Sequence, residues 1–487
     1  NEKDIKMSGK DAIGIYAMNN NTDTTVTSHL VTNKGTVEVG DSGEKTAVGI
    51  YAKGVNVKPE GGKIKIGKKA VGIYAEDSQV GEANKDLGTI DFNGDDGVGI
   101  YLKGSGSKLV GNKVTLTQSK DSKNKVGILA DRGTNSIIKT EVAVGTLNNV
   151  IAYYSKGNNE LNVQSNVTLN ENSIGISGEG DLLYGDGTNT YTMKLGKSST
   201  GLFGTKKIGL KDKTNIELNG ENSVGAYASG ADGEITSEGT IKFLKEKTIG
   251  LYGADGATIK DKTSMDFSNV NAKNNIGVYL AGANWERDTA LTFSSAHEKG
   301  NIYLFAQGGS EGATDKGNKI TLKNIFNVSP SNDPTGNEKT IGMYLDTAVK
   351  GKSTYVDNTV DMSNGNAKVS VTKKAIGIYA KNADNSKNNI INTLKVLSDG
   401  QGTVGVFTDG NLKLSGTGGL IEAQNAGIGL YGNKGTVTVE GTHKVEVTNA
   451  GTGMYLTKGS HLSGGKLELE NKTAGTSAAG IYYEGTG

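Results

Sequence analysis

The sequence predicts an all-β fold, a right-handed parallel β-helix (β-solenoid) of about 18 coils, and three observations predict it. A glycine-apolar-aromatic phrase, seen in "AVGIYAKG" from Ala47, "AVGIYAED" from Ala70 and "AIGIYAKN" from Ala375, recurs through all 487 residues. Its copies are mostly 23 to 28 residues apart, a period that signals a solenoid. Between copies lie short β-branched runs punctuated by Gly, Asn, Thr and Ser, as many strands joined by turns require.

Taking the phrase's glycine as position zero, copies run from Gly14 to Gly480, and in two of them Ala152 and Tyr303 replace the glycine. Strand alternation sends Val48, Ile50 and Ala52 to the inner face and Gly49 and Tyr51 to the outer one, where the glycine leaves room. Most copies are followed by a second alternating run, such as "GTVEVG" from Gly35, "GKIKIG" from Gly62 and "HKVEVT" from His443. Two apolar residues on one face make it half-buried. No segment sustains a 3.6-residue period, which argues against leucine-rich, ankyrin and tetratricopeptide solenoids. Propeller blades need about 40 or more residues each, longer than these spacings.

In a β-helix each position of the repeat becomes a ladder along the stack. The aromatic position reads Tyr16, Tyr51, Tyr74, Tyr101, Tyr154, Tyr227, Tyr252, Tyr279, Tyr344, Tyr379, Tyr431, Tyr455 and Tyr482, completed by Phe203, Phe305 and Phe407 and broken by Leu129 and Ser177. As structure, the rings cover backbone and stack, each pair adding about 0.5 to 1.5 kcal/mol. As function, the stripe is a platform for sugar rings or a partner protein.

Composition narrows the chemistry. The net charge is +1 and the only arginines are Arg132 and Arg287, so nothing favours nucleic acid as a partner. Cysteine is absent, which excludes disulfides and thiolate chemistry. "GDSG" at Gly40–Gly43 has only His29 before it and no room for a protease fold, so it reads as a turn. "DFNGDD" from Asp91 opens like a calcium loop, but Asp96 and Leu102 stand where that loop needs Gly and Glu. "KGSGSK" from Lys103 opens no helix and so is no phosphate loop. His29, His297, His443 and His461 are scattered, and none has a second histidine at ligand spacing. The expectation is a non-enzyme with no cofactor and no metal. A carbohydrate-active β-helix enzyme is the weaker alternative, since the acidic residues are dispersed rather than gathered in one groove.

The chain reads as one continuous β-helical stretch over 1–487, with longer or irregular coils near 14–49, 283–300, 303–342 and 342–377. The ends, "NEKDIKMSGK" and "AAGIYYEGTG", read as cuts within a longer chain. Projecting loops on a rigid scaffold commonly carry binding. The one such stretch with an anchor is "AGANWERDTALTF", which holds the sole tryptophan. Trp285 with Glu286, Arg287 and Asp288 is the candidate binding cluster, read either as an exposed hot spot or as a tryptophan capping a gap in the core.

The repeated "IGIYA" and "VGxYxxG" phrases in an Asn/Lys/Gly-rich, cysteine-free chain resemble the passenger regions of large fusobacterial type V (Va) autotransporter adhesins, the RadD and galactose-inhibitable adhesin group. The resemblance covers the whole chain and carries over no binding residue. It implies a surface-exposed passenger at the cell outer membrane, attached through a C-terminal barrel outside this sequence. It further implies an adhesin for host cell-surface proteins or galactose-type glycans and for surface proteins of other bacteria, acting in coaggregation and virulence. The alternative is a structural stalk presenting a binding domain elsewhere.

Overall fold

The computed structural model describes residues 1–19, 30–295, 300–311, 314–330, 340–382, 384, 386–473 and 477–485. His29, His297 and Pro334 lie outside the described residues. The described chain is all-β without a helix, its parallel strands stacked as a β-solenoid of about 17 turns. Those residues divide into two compact units, Asn1–Tyr227 with Glu238–Thr240, and Ala228–Ser237 with Ile241–Gly487.

In the first unit one turn consists of strands Val48–Lys53, Asn56–Lys58 and Lys63–Ile66. The next phrase, Val71–Glu76, lies on the first strand in strict register, with Ile50 opposite Ile73, Tyr51 opposite Tyr74 and Ala52 opposite Ala75. The run "GKIKIG" forms the third strand and pairs with Thr36–Val39 on one side and Thr89–Phe92 on the other. Ile50, Ile73, Ile100 and Ile128 form one buried ladder, and Val37, Ile64 and Ile90 of the third strands face them. Each such side chain contributes roughly 1.5 to 3 kcal/mol on burial.

The corner before the phrase has its own signature. Three residues ahead of most rung glycines the backbone is left-handed, for example at Lys69, Asp96 and Asn124 and, ahead of Gly175 and Gly201, at Asn172 and Ser198. Asn and Asp tolerate that conformation better than other side chains, which accounts for the asparagine punctuating the repeat.

The rung glycine faces inward, not outward as the alternation suggests. A Cβ at Gly49 would lie 2.5 Å from Cγ2 of Ile64 and 2.6 Å from the carbonyl oxygen of Gly72. Strand pairing steps over it, from Val48–Val71 directly to Ile50–Ile73. Glycine and the residue after it both point into the core, a local bulge. The residue before it, expected inside, is buried at Val48 and Val71 and half-exposed at Val98 and Val126. Space rather than backbone freedom demands this glycine, because its φ is not in the left-handed region.

The second unit repeats the plan, for example in Ile376–Lys381, Asn389–Asn392 and Lys395–Asp399. Inside it Asn318, Asn358 and Asn389 are fully or almost fully buried and stack, each of the first two donating to the next side chain at 2.8 and 3.1 Å. Two longer turns carry hairpins. Strand Ile302–Glu311 folds back antiparallel against Thr314–Lys316, and strand Ile341–Val349 runs into a hairpin in which Ala348 bridges Tyr355.

Candidate binding face and the cluster at Trp285

In the second unit the aromatic position forms an unbroken column, Tyr252, Tyr279, Phe305, Tyr344, Tyr379, Phe407, Tyr431, Tyr455 and Tyr482. Neighbouring centroids are 4.7 to 5.2 Å apart. In the first unit Tyr16, Tyr51 and Tyr74 stack at 5.0 and 5.3 Å, Tyr101 meets Tyr74 at a tilt at 4.8 Å, and the column ends where Leu129 follows. Further along, Phe203 and Tyr227 pair at 5.3 Å, while Tyr154 donates to Glu179 at 3.4 Å. Most of these rings are half-exposed, turned out by the same alternation that buries their neighbours.

A second ladder runs beside the rings, two positions further along the phrase. Its successive rungs are Lys53, Glu76, Lys103 and Asp131 in the first unit, and Asp346, Lys381 and Asp409 in the second, where a register shift then brings Lys434, three positions beyond Tyr431, opposite Asp409. The sign alternates at every turn. Lys53 pairs with Glu76 at 3.0 Å, Lys381 with Asp346 at 3.1 Å and Lys434 with Asp409 at 3.2 Å. Ring hydroxyls join in, Tyr51 donating to Glu76 at 3.2 Å and Tyr101 to Asp131 at 2.6 Å. Burial, reinforced by Glu76, pushes the Tyr51 hydroxyl up to about 12, so it stays a donor at neutral pH. Where both partners are exposed, pairs of this kind add little stability. A single copy of the phrase gives no sign of this ladder, and only the copies written one above another expose it.

The face therefore offers hydroxyls and alternating charges at a repeat near 5 Å. The ring faces, within the nearly parallel stretch of the second unit, are largely turned to one another rather than to solvent.

Trp285 is not an exposed hot spot. It is fully buried, and Arg287 is 5% exposed, in strand Asn284–Arg287, where Trp285 pairs with Ile259 on one side and Ile320 on the other. Strand alternation explains it: Trp285 and Arg287 point inward, Glu286 is half-exposed, and only Asp288 is fully exposed. The cluster is thus split between core and surface, which corrects its reading as a single external site. Its real partner is Asp261, buried in the adjacent turn and marked by no motif in the sequence. Asp261 accepts from Trp285 Nε1 at 3.3 Å and from the Tyr303 hydroxyl at 2.8 Å, and Arg287 lies 3.1 Å from the same carboxylate. Thr263 donates its backbone N–H to the other carboxylate oxygen at 2.8 Å. Tyr303 stands at a lost rung glycine, and its ring fills the space a glycine leaves elsewhere, against Phe293 and Phe326. Burial foremost, then the Asp261 charge, hold the Tyr303 hydroxyl well above its ordinary range.

The remaining candidates are turns or core. Ser42 donates to the Lys69 carbonyl at 2.7 Å and accepts from the Ala47 N–H. Asp91 is buried against Lys63 at 2.9 Å with hydroxyls of Ser119 and Thr117, while Asp95 and Asp96 bond to Lys123 and Asn124. His443 is buried and His461 exposed. Among the described residues no three His, Asp or Glu converge on a metal-sized point, and no helix is long and apolar enough to cross a membrane. Comparison with known protein families finds no family model that matches the chain, and comparison with curated proteins finds no match.

Proposed function

We propose that the chain is a binding module of a surface-exposed adhesin, a passenger whose outer face engages host-cell receptors, glycans or the surfaces of other bacteria. The observation that carries this reading is the paired ladder, aromatic rungs beside alternating charges, running over four successive turns in each unit on a solvent-facing strand. Identical weak contacts at a fixed repeat build affinity by multivalency, each engaged rung making the next intramolecular. The repeated phrase's resemblance to autotransporter passengers supports the same reading.

One observation favours a second reading, a structural stalk: in the parallel part of the column the rings cover one another's faces, so much of their apolar surface already stabilises the fold. The two are separated by replacing Tyr344, Tyr379 and Tyr431 with Phe, which keeps stacking and removes hydroxyls. Binding to host cells, partner bacteria or a glycan array falls at unchanged thermal stability if the face is the site. If the intact chain binds none of them, the stalk reading stands.

A further inference from the structure

One step of the second unit's column departs from the rest. Tyr252 and Tyr279 meet edge to face at 75°, whereas the seven following steps lie within 3 to 23° of parallel. The two rings make a corner, and a cation occupies it: Lys350 Nζ is 4.8 Å from the Tyr252 centroid and 5.2 Å from the Tyr279 centroid, and it donates to the Tyr252 hydroxyl. These distances are within the roughly 6 Å reach of a cation–π interaction.

Lys350 is delivered there by a braced arm. The hairpin Thr347–Val356 is closed by Val349 donating to Thr354 and Val356 donating to Thr347, at 2.9 and 2.8 Å. Gly351, left-handed at φ +73°, turns its tip. Lys352 and Thr354 bind the carboxylate of Asp315 on the neighbouring hairpin.

The geometry points to a quaternary-ammonium site walled by Tyr252 and Tyr279, held closed in cis by Lys350. An outside primary ammonium gains nothing over the tethered one, which has the same chemistry and is strongly hydrated. A methylated ammonium is more weakly hydrated and broad enough to touch both rings, the chemistry by which aromatic walls select choline-type groups. It competes with a tethered lysine, so its apparent affinity in the intact chain is reduced to the open fraction of the corner, and removing Lys350 raises it about tenfold for a lysine seated about nine-tenths of the time. The corner and its lysine define this site independently of adhesion.

The test uses the full chain and its Lys350→Ala variant, with tetramethylammonium titrated and followed by saturation-transfer NMR. The expected result is saturable binding to Lys350→Ala, about tenfold tighter than to the wild-type chain, lost on adding Tyr252→Leu. Thermal melts confirm that each variant is folded, and Lys350→Gln is the substitute if Lys350→Ala is not. Free phosphocholine and phosphatidylcholine vesicles then distinguish a soluble or glycan-borne headgroup from a membrane, and binding of either supports the site. No saturable binding to a folded lysine-less variant overturns the assignment. So does equal binding of neutral 3,3-dimethyl-1-butanol, which marks a mere apolar recess.

Discussion

The hydroxyl of Tyr303 lies 2.8 Å from the carboxylate of Asp261, inside the core and at a rung where other turns carry glycine. Two turns of sequence separate these residues, and the ring reaches back across the interior to close a network with Arg287 and Trp285.

Removing that carboxylate strands a buried guanidinium. Asp261→Ala is expected to cost about 3 to 5 kcal/mol, and the double variant Asp261→Leu/Arg287→Met to recover most of it, since apolar replacement of a whole buried pair is often neutral or better. Urea unfolding of the three chains measures both. Equal loss in the single and double variants contradicts the network.

Trp285→Ala empties a fully buried site. It should lower unfolding free energy by about 3 to 5 kcal/mol, while any ligand affinity of the folded protein stays unchanged. A binding loss with unaltered stability returns Trp285 to the surface.

Rung glycines should reject even one methyl group. A Cβ at Gly405 meets the Gly429 carbonyl oxygen at 2.5 Å and Val396 Cγ2 at 2.6 Å, so Gly405→Ala is expected to destabilise by about 1 to 3 kcal/mol through overpacking. Gly365, where an added Cβ meets no described residue within 4 Å, is the control, and Gly365→Ala should be near neutral. Thermal melts of the pair decide it.

His443 makes stability depend on pH. It is fully buried, neither ring nitrogen has a hydrogen-bond partner among the described residues, and burial holds its pKa below 6.5. The unfolded chain therefore takes up a proton first as pH falls, and stability drops below pH 6.5 by up to about 1.4 kcal/mol per unit until the folded form titrates too. In His443→Leu that component of the pH 7 to pH 5 difference disappears in urea melts. An unchanged difference excludes His443 as its source.

Much of the fold was legible because a solenoid writes its period into the chain: the glycine spacing and the β-branched runs identify strands, turns and stacking. Alternation alone places Tyr51 correctly and Gly49 wrongly, since a bulge turns two successive residues inward and leaves no mark beyond the glycine itself. Trp285 taken with its own stretch alone leaves two readings, exposed hot spot or core cap, and its burial bears out the second. Set beneath Thr258–Asp261 and above Lys319–Leu322, it falls on the column of Ile259 and Ile320, and its burial follows. Asp261 and the hairpin of Lys350 had no such signal, because ring reach across the core and the fold of an insertion are three-dimensional facts.

The inward rung glycine also fixes how the chain can change in length. A single residue gained within a phrase exchanges inside for outside along the strand and drives a side chain into the 2.5 Å gap at a position such as Gly49. A complete turn gained or lost only repeats an existing set of neighbours, as expected of a quasi-one-dimensional stack. Extra residues fit at the corner beyond Val349, where the hairpin of Lys350 already stands. Growth by duplication of whole turns, with novelty confined to corners, is the history such a chain can record.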